Sequence, residues 1–459
     1  MTNRPTKPRP GRPPDTRPQD TRAPAASPPT SSPQADLRGG ARLAVDGTRH
    51  ITGLVEALHG QIQRVALPLR RRPAAAPPQA TTANDSDGLP RSRGLTRLVY
   101  RSIQGTTRLV GAGLDGLLAP FDAALAGTGP APRRDALVAA LNGVLGDHLQ
   151  RSSNPLAIPM QLRQGGAPLH AAALGAAAPR RVLLLVHGLC MSDLGWCRNG
   201  HDHGQRLASA LGAVPVYAWY NSGQHIDVNG LALAGVLQRL VQDWPAPLDE
   251  LMIIGHSMGG LVARSAIHQA DAAGHTWPQR LKKLVFLGTP HHGAPLERAG
   301  NWLHQLMDWS PYAAPFTRLT GLRSAGITDL RHGNLLAADW QGASRFDHRD
   351  RRTPVPLPKG VACYAMAGTA GSVGNAASGA NLASVGALLA AGQVGASLVG
   401  AGLEGDGLVL IDSALGRHKR SALDLALAKS HTWVAPGVHH LQLLSDAAVY
   451  RRLLRWLGP

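Results

Sequence analysis

The stretch LMIIGHSMGGLVARSA, residues 251–266, places a serine between two glycines where an apolar strand-like run meets an apolar helix-like run. A solvated turn would use the glycines, but it would not need apolar residues on both sides. Small residues at Gly255 and Gly259 suit a sharp turn at which strand and helix crowd together around a strained Ser257. Such a turn directs the hydroxyl outward at the carboxyl end of a sheet, where open α/β sheets place their ligands. The stretch therefore predicts a nucleophilic serine.

Strand-like and helix-like segments alternate along the chain from about residue 150 onward. Apolar runs that predict short buried strands lie at 182–188, 214–220, 251–257, 283–289, 361–368 and 431–437. A hairpin is expected before them in LAIPMQLR and PLHAAAL, and helical spacing falls at 202–211, 229–243, 258–271 and 446–457. Strands that alternate with helices favour an α/β fold with a doubly wound, mostly parallel sheet.

A catalytic serine needs a base to remove its proton, and the base needs an acid to fix its tautomer. In this fold class the acid and then the histidine follow the serine along the chain. Two acids, Asp406 and Asp412, and two histidines, His439 and His440, lie downstream in that order. We favour Asp406, in a Gly-Asp-Gly turn before an apolar run, and expect Asp412 to cap or solvate the next turn. The predicted catalytic residues are Ser257, Asp406 and His440, with Asp412 as the alternative acid.

The oxyanion of a tetrahedral intermediate needs hydrogen-bond donors aimed at it. One predicted donor is the backbone N–H of Met258, directly after the nucleophile. The other comes from the loop after the first central strand, where the chain turns at Gly188. There the N–H of Leu189, or alternatively that of Cys190, is expected to face the same pocket. Gly188 permits a close approach that a side chain would block.

The chain divides into regions of different composition. Residues 1–40 are rich in Pro and Arg and are expected to be a disordered arm, because they carry too few apolar side chains to offset their ordering entropy. The predicted regions after the arm are a helical N-terminal region (41–150) with a Pro-rich linker (68–90), and a catalytic domain (151–459) with two insertions, at 295–350 and 370–403. The first insertion is aromatic-rich and predicts either a lid or cap, or an ordinary packed helical insertion. The second is rich in Gly and Ala.

The chain is strongly basic, with a formal net charge of +18. Such a charge would suit nucleic acid or an anionic membrane. The excess is arginine scattered along the chain, without an RNP, zinc-finger or basic-helix motif, so no nucleic-acid partner is expected. Peripheral contact with a membrane stays open, and no apolar run is long enough to predict a spanning helix.

Three cysteines, Cys190, Cys197 and Cys363, form an odd set without metal-ligand spacing. We expect free thiols in a reducing compartment. The N-terminus has no apolar segment typical of a secretory signal, so the expected location is the cytoplasm. HExxH is absent and no Cys/His spacing fits a metal site, so neither a metal nor a cofactor is expected.

Five motifs in order resemble those of a known family, the α/β-hydrolases of the serine lipase and esterase kind. They are VHGL (186–189), GHSMGG (255–260), LGTPHHG (287–293), DGLV (406–409) and HHL (439–441). The second and third are particularly similar to bacterial triacylglycerol lipases and to the lipase-like domain of GPI inositol-deacylases. The resemblance covers about residues 180 to 457. It implies the α/β-hydrolase fold and hydrolysis of a carboxylic ester through an acyl-serine intermediate, often under a mobile apolar lid.

The chain also departs from this family. Secreted lipases show His-Leu-Asp at the base, whereas this chain has His440-Leu441-Gln442. The signal peptide and calcium site of secreted relatives are not evident, which favours an intracellular esterase. The expected function is therefore a serine carboxylester hydrolase acting on a small-molecule or lipid acyl ester. An acyltransferase or thioesterase would use the same machinery, and a non-catalytic scaffold recruited by the basic arm is the alternative from another class.

Overall fold

A computed structural model describes residues 38–42, 132–294, 324–342, 349–369 and 405–458. The predicted Pro-rich linker and the Gly/Ala-rich insertion lie outside these residues, as do almost all of the arm, most of the helical N-terminal region and most of the lid or cap insertion. Residues 38–42 form a short helical segment, and the remaining described residues build one large sheet with its covering helices and a small two-stranded ribbon.

The centre of the fold is an eight-stranded sheet. Its strands are β1 (Gln161–Gln164), β2 (Ala167–Pro168), β3 (Arg181–Val186), β6 (Val214–Trp219), β7 (Glu250–His256), β8 (Leu281–Leu287), β9 (Ala362–Gly368) and β10 (Thr432–Ala435). They lie in the order β10-β9-β8-β7-β3-β6-β1-β2. The six from β10 to β6 are parallel, and β1 pairs antiparallel with both β2 and β6. The β1–β2 hairpin is shorter than predicted, because most of PLHAAAL is not a strand and Ala171–Leu174 form a turn of 3-10 helix. Strands β4 (Cys197–Arg198) and β5 (His201–Asp202) form a separate small ribbon.

Helices cover both faces of the sheet. They are α1 (Pro132–Arg151), α2 (His203–Leu211), α3 (Ile226–Asp243), α4 (Met258–Ala272), α5 (Ala325–Asp329), α6 (Ile411–Ala414) and α7 (Ala447–Leu457). Single turns of 3-10 helix lie at Ala171–Leu174, Asp193–Trp196, Trp277–Arg280, Ala337–Asp339, Lys429–His431 and Gln442–Leu444. Among the described helices, none has the length and apolar character needed to cross a membrane.

The two faces of the sheet have separate apolar cores because side chains alternate along each strand. Leu184 and Ile253 point to the face covered by α1, α3 and α4. Leu183 and Ile254 point to the opposite face, which α2 and α7 cover. Strand β3 is buried on both sides along almost its whole length, which is why its sequence reads as a continuous apolar run.

Local signals in the sequence set several helix ends. The Asp446 carboxylate accepts the N–H groups of Ala448 and Val449 and so caps the start of α7. Helix α2 starts after Asp202, whose side chain accepts from Gln205, and it stops at Gly212, which has a φ of 62°.

The predicted fold class is confirmed. A mostly parallel, doubly wound sheet with an antiparallel hairpin at one edge, and with a strand–turn–helix centred on Ser257, is the α/β-hydrolase fold. All three cysteines lie among the described residues and none forms a disulfide.

Candidate active site

Ser257 occupies the sharp turn between β7 and α4. Its φ of 54° and ψ of −126° lie in a region that non-glycine residues rarely adopt, so the turn is strained. The neighbouring α4 approaches the backbone of β3 closely enough that a Cβ at Gly259 would lie 2.6 Å from the carbonyl oxygen of His187. The Ser257 N–H donates to the Leu287 carbonyl at 2.9 Å, which fixes the turn to the end of β8. The serine is 8% exposed.

The structure brings Asp406 and His440 together, although they lie 34 residues apart. His440 Nδ1 is 2.7 Å from Asp406 Oδ2, and both side chains are buried. The other carboxylate oxygen accepts the N–H groups of Leu408 at 3.0 Å and Val409 at 2.8 Å. A carboxylate only accepts, so Nδ1 of the ring carries the proton. The Nε2 atom is therefore left to accept a proton, as a general base requires.

Ser257 and His440 flank the same turn after β8. A Cβ at Gly288, which follows the carbonyl that holds Ser257, would lie 3.0 Å from Cε1 and Nδ1 of the His440 ring. Nε2 of His440 is buried and has no hydrogen-bond partner, the Ser257 hydroxyl included, within the part of the chain that the structure describes. Catalytic hydrogen bonds are often long before substrate binds, so the arrangement is compatible with a serine–histidine pair.

The alternative acid, Asp412, lies elsewhere. Its side chain is 75% exposed and its carboxylate is 3.5 Å from Arg417, so it does not contact the histidine. His439, the other candidate base, donates its backbone N–H to Oε1 of Gln442 at 3.1 Å. Gln442 stands in place of the aspartate of the His-Leu-Asp pattern that the sequence otherwise resembles here. Here it supports the backbone of the histidine loop.

The two predicted oxyanion donors lie on either side of Ser257. Met258 is the first residue of α4, where helical N–H groups have no intrahelical acceptor and the helix dipole favours negative charge. On the other side, a Cβ at Gly188 would lie 2.9 Å from Cβ of Ser257, so the chain passes directly beside the nucleophile. The Cys190 N–H donates to the Ser222 hydroxyl at 3.1 Å and is therefore engaged elsewhere. This geometry favours Leu189 over Cys190 as the second donor.

Two buried histidines beside the site were not predicted as functional. His256 Nε2 lies 3.2 Å from the carbonyl oxygen of His440, and the two rings are 4.8 Å apart. Burial, with a smaller effect of the His440 ring, lowers the pKa of His256 well below its usual range, so it is neutral and donates from Nε2. The sequence feature that could have identified His256 is its position directly before the nucleophile.

His187 supports the oxyanion loop from the end of β3. Its ring stacks on Tyr220 with centroids 4.3 Å apart, and the Tyr220 hydroxyl donates to the His187 carbonyl at 2.6 Å. Burial lowers the pKa of His187 to about 4. The ring therefore stays uncharged, which suits its place in the apolar surroundings of the turn.

A cluster of two carboxylates and one imidazole, which we call the acid–histidine cluster, consists of His225, Asp227 and Asp329. Its possible ligand atoms lie within 4.8 Å of one another. The oxygens are already engaged: Asp329 accepts from His225, from the Ile226 N–H and from Asn334. An Asp227 oxygen accepts from the indole of a neighbouring tryptophan at 2.9 Å. The cluster is thus a hydrogen-bonded framework at the start of α3.

A cavity of about 480 Å³ opens beside this cluster. It is lined by Asp147, Gln150, Arg151, Gln224, His225, Val228, Ala325, Thr328, Arg331, His332, Asn334, Asp339, Trp340, Arg349 and Arg351. None of the predicted catalytic residues lines it, so the cavity is separate from the serine and its histidine.

Comparison with known proteins finds one family profile that matches part of the chain and several similar solved structures. The profile of a domain of unknown function, DUF7379, matches residues 157–328. No curated protein matches the chain by sequence. The mature lipase BlEst2 of Bacillus licheniformis is similar at 21% identity, covering 61% of this chain and 92% of that one, with a TM-score of 0.36.

Two further solved structures are similar at lower identity. The esterase Pf2001 of Pyrococcus furiosus shows 13% identity over 61% of this chain and 81% of that one, with a TM-score of 0.32. The phospholipase PlaB of Legionella pneumophila shows 14% over 61% and 60%, with a TM-score of 0.37. By its strand order and by the strand–turn–helix at Ser257, the chain has the α/β-hydrolase fold, and these similar structures are of lipases and esterases.

Proposed function

We propose that the protein is a serine carboxylester hydrolase with Ser257 as nucleophile, His440 as general base and Asp406 as the acid that orients the base. The observation that carries the proposal is the buried His440–Asp406 pair, whose Nδ1–Oδ2 distance is 2.7 Å, beside a strained serine turn. Burying a carboxylate and an imidazole without a partner would cost several kcal/mol, so their mutual pairing has a structural reason as well. The pairing with Asp406 does not explain why Nε2 of His440 has no hydrogen-bond partner among the described residues, beside the strained Ser257 turn.

In the proposed mechanism, Ser257 Oγ attacks the acyl carbon as Nε2 of His440 takes its proton. The carbonyl oxygen becomes an oxyanion that accepts from the N–H groups of Leu189 and Met258. As the intermediate collapses, the bond to the alcohol oxygen breaks, and His440 returns the proton to that leaving group. Water then attacks the acyl-serine with the same base, releasing the carboxylic acid and the free Ser257 hydroxyl. Asp406 keeps the proton on Nδ1 throughout and stabilises the transient imidazolium.

The acyl group is expected to be that of a small-molecule or lipid ester. Acyl transfer to an alcohol, or cleavage of a thioester, would proceed through the same acyl-serine, since the pocket and its loops select the acceptor and leaving group. Product analysis with added alcohols separates hydrolysis from transfer, because a transferase forms the new ester in preference to the free acid.

The proposal is tested by labelling the purified protein with a fluorophosphonate. Oγ of an activated serine displaces fluoride from phosphorus, and mass spectrometry locates the adduct. We expect modification confined to Ser257, its loss in Ser257→Ala, and its retention in Ser152→Ala, which alters an exposed hydroxyl. A series of p-nitrophenyl esters of increasing chain length then measures acyl preference. A folded protein that neither labels nor hydrolyses these esters, with or without detergent, would contradict the proposal and favour the scaffold.

A further inference from the structure

Helix α1 is in direct contact with the loop that carries the proposed oxyanion donor. A Cβ at Gly143 would overlap Sγ of Cys190 and lie 2.9 Å from its Cα and its nitrogen. The helix backbone therefore reaches the backbone of the residue that follows Leu189. An internal glycine makes a helix less stable than an alanine would, but only a glycine leaves room for this close approach.

Hydrogen bonds hold α1 in this position. The Ser324 hydroxyl donates to the Gly143 carbonyl at 2.7 Å, and Asn221 Nδ2 donates to the Gly146 carbonyl at 2.9 Å. Both carbonyls belong to residues in the middle of the helix. They accept these side-chain hydrogen bonds on the helix surface that faces the oxyanion loop. The residues concerned come from distant parts of the chain, with Ser324 lying 181 residues from Gly143.

A buried ion-pair network ties the start of α1 to the same region. Arg163 on β1 contacts Asp135 on α1 at 2.9 Å and Asp193 at 3.1 Å. Asp193 begins the turn of helix just after the oxyanion loop. The guanidinium also lies over the Trp219 ring, 4.6 Å from its centroid. The loop thus contacts α1 at Cys190 and is linked to it again at Asp193 through Arg163.

Cys190 is held in a conformation that needs such support. Its φ is 58°, in the left-handed region that residues with a Cβ seldom adopt. Its N–H donates to the Ser222 hydroxyl at 3.1 Å. On the other side of Leu189, Gly188 lies against Ser257. The direction of the Leu189 N–H is therefore set between a fixed Gly188 and a fixed Cys190.

We propose that α1 packs against the oxyanion loop and holds it in position. Gly143 and Ser222 are positioning residues that aim the Leu189 N–H at the developing oxyanion. The inference rests on the proposed function. Oxyanion donors must lie within about half an ångström of the productive position to be effective, and losing one donor altogether costs about 10²–10³ in kcat. Displacing the loop is expected to lower kcat by about 10- to 100-fold with little change in KM, because these donors hold the charged oxyanion of the transition state more strongly than the neutral ester carbonyl.

The experiment compares Gly143→Ala and Ser222→Ala with Gly235→Ala, the same substitution in α3, where the nearest atom to a new Cβ is 3.9 Å away. For each variant we would measure kcat, KM, the melting temperature and the inhibition constant of an alkyl trifluoromethyl ketone. Oγ of Ser257 adds to that carbonyl, its proton goes to His440, and the resulting alkoxide sits in the oxyanion hole. A ground-state analogue, the corresponding alkyl alcohol, forms no alkoxide.

We expect kcat/KM and ketone affinity to fall in parallel for Gly143→Ala and Ser222→Ala, with unchanged affinity for the alcohol. Gly235→Ala should match the wild type. Combining Gly143→Ala with Cys190→Gly removes the sulfur that the new methyl would meet and relieves the positive φ, so partial recovery of kcat is expected. A purely structural effect would lower the melting temperature without this selective loss.

The two proposals fail in different ways. If the wild type neither labels at Ser257 nor hydrolyses esters, the proposed function is wrong and the oxyanion support falls with it. If the wild type is active but folded Ser222→Ala keeps kcat and ketone affinity within twofold, the support role is wrong and the hydrolase stands. Ser222→Ala decides whether the anchoring of Cys190 aims the Leu189 N–H even if Gly143→Ala does not fold, because it removes one oxygen and adds no clash.

Discussion

Replacing Asp406 with asparagine is the sharpest test of the base. The Asp406 carboxylate accepts three N–H groups, one from His440 Nδ1 at 2.7 Å and two from the amides of Leu408 and Val409. An asparagine has only one oxygen to offer. If that oxygen keeps the two amides, the NH₂ group faces Nδ1, and the ring must move its proton to Nε2. Nε2 could then no longer take the proton of Ser257.

The expected magnitude follows from this change of tautomer. Loss of the base function through the wrong tautomer lowers kcat by about 10⁴, which corresponds to about 5 kcal/mol in the activation free energy. KM should change little, because the ester does not contact Asp406. If the amide instead turns its NH₂ toward the two backbone N–H groups, a buried donor is left unpaired and the free energy of unfolding falls by about 1–3 kcal/mol. The melting temperature distinguishes these two cases.

The assay is steady-state hydrolysis of p-nitrophenyl butyrate, with fluorophosphonate labelling rates and melting temperatures for each variant. Asp412→Asn is the matched control, since its side chain is 75% exposed and lies beside an exposed arginine. It should keep kcat within about twofold, as surface changes of this kind perturb little. A folded Asp406→Asn that keeps kcat within tenfold, or a large loss confined to Asp412→Asn, would refute the assignment of the acid.

Three further outcomes are expected. Gly259→Ala, which would bring a methyl to 2.6 Å from a backbone carbonyl oxygen, should lower the free energy of unfolding by about 3 kcal/mol or more, whereas Gly235→Ala should raise it by about 0.5–1 kcal/mol; urea titrations measure both. Burial lowers the pKa values of His187 and His203 to about 4, so below pH 6.5 the unfolded chain binds protons more readily than the folded chain. The free energy of unfolding should therefore fall by on the order of 1–2 kcal/mol per histidine between pH 7 and pH 5. A His203→Gln variant that keeps the full pH dependence would contradict this. EDTA should leave ester hydrolysis unchanged because the proposed chemistry uses only side chains and amides, and a loss restored by added zinc or calcium would show a metal requirement.

The sequence predicted the sheet well because buried parallel strands are short apolar runs with no competing pattern. The expected strand at 251–257 is observed at Glu250–His256, and the expected helix at 258–271 at Met258–Ala272. Helix α3 was predicted to start at residue 229, but it starts at Ile226. Its first N–H is accepted by Asp329, which lies 103 residues away, and no local pattern reveals such a cap.

The order of the candidate catalytic residues along the chain could be predicted from the sequence, but the contacts that hold them in place could not. Chain order and turn chemistry led to Asp406 and His440, which the structure places 2.7 Å apart. The sequence left Asp412 open because both acids precede apolar residues, and only the three-dimensional arrangement buries one and exposes the other. The contact of Gly143 with Cys190 could not be foreseen. A glycine inside a helix carries no signal of the loop that the helix contacts 47 residues later.

The turn that holds Asp406 is closed on itself, and this has a consequence for how the chain can vary. The Asp406 N–H donates to the Val409 carbonyl, its side chain takes two amides from the same turn, and Gly405 pairs with Leu410. The Asp406 carbonyl in turn accepts the N–H of His440. Within the described residues, the acid is therefore held by its own turn and by the histidine loop. We expect insertions and deletions between β9 and this turn to leave the acid in register with its histidine.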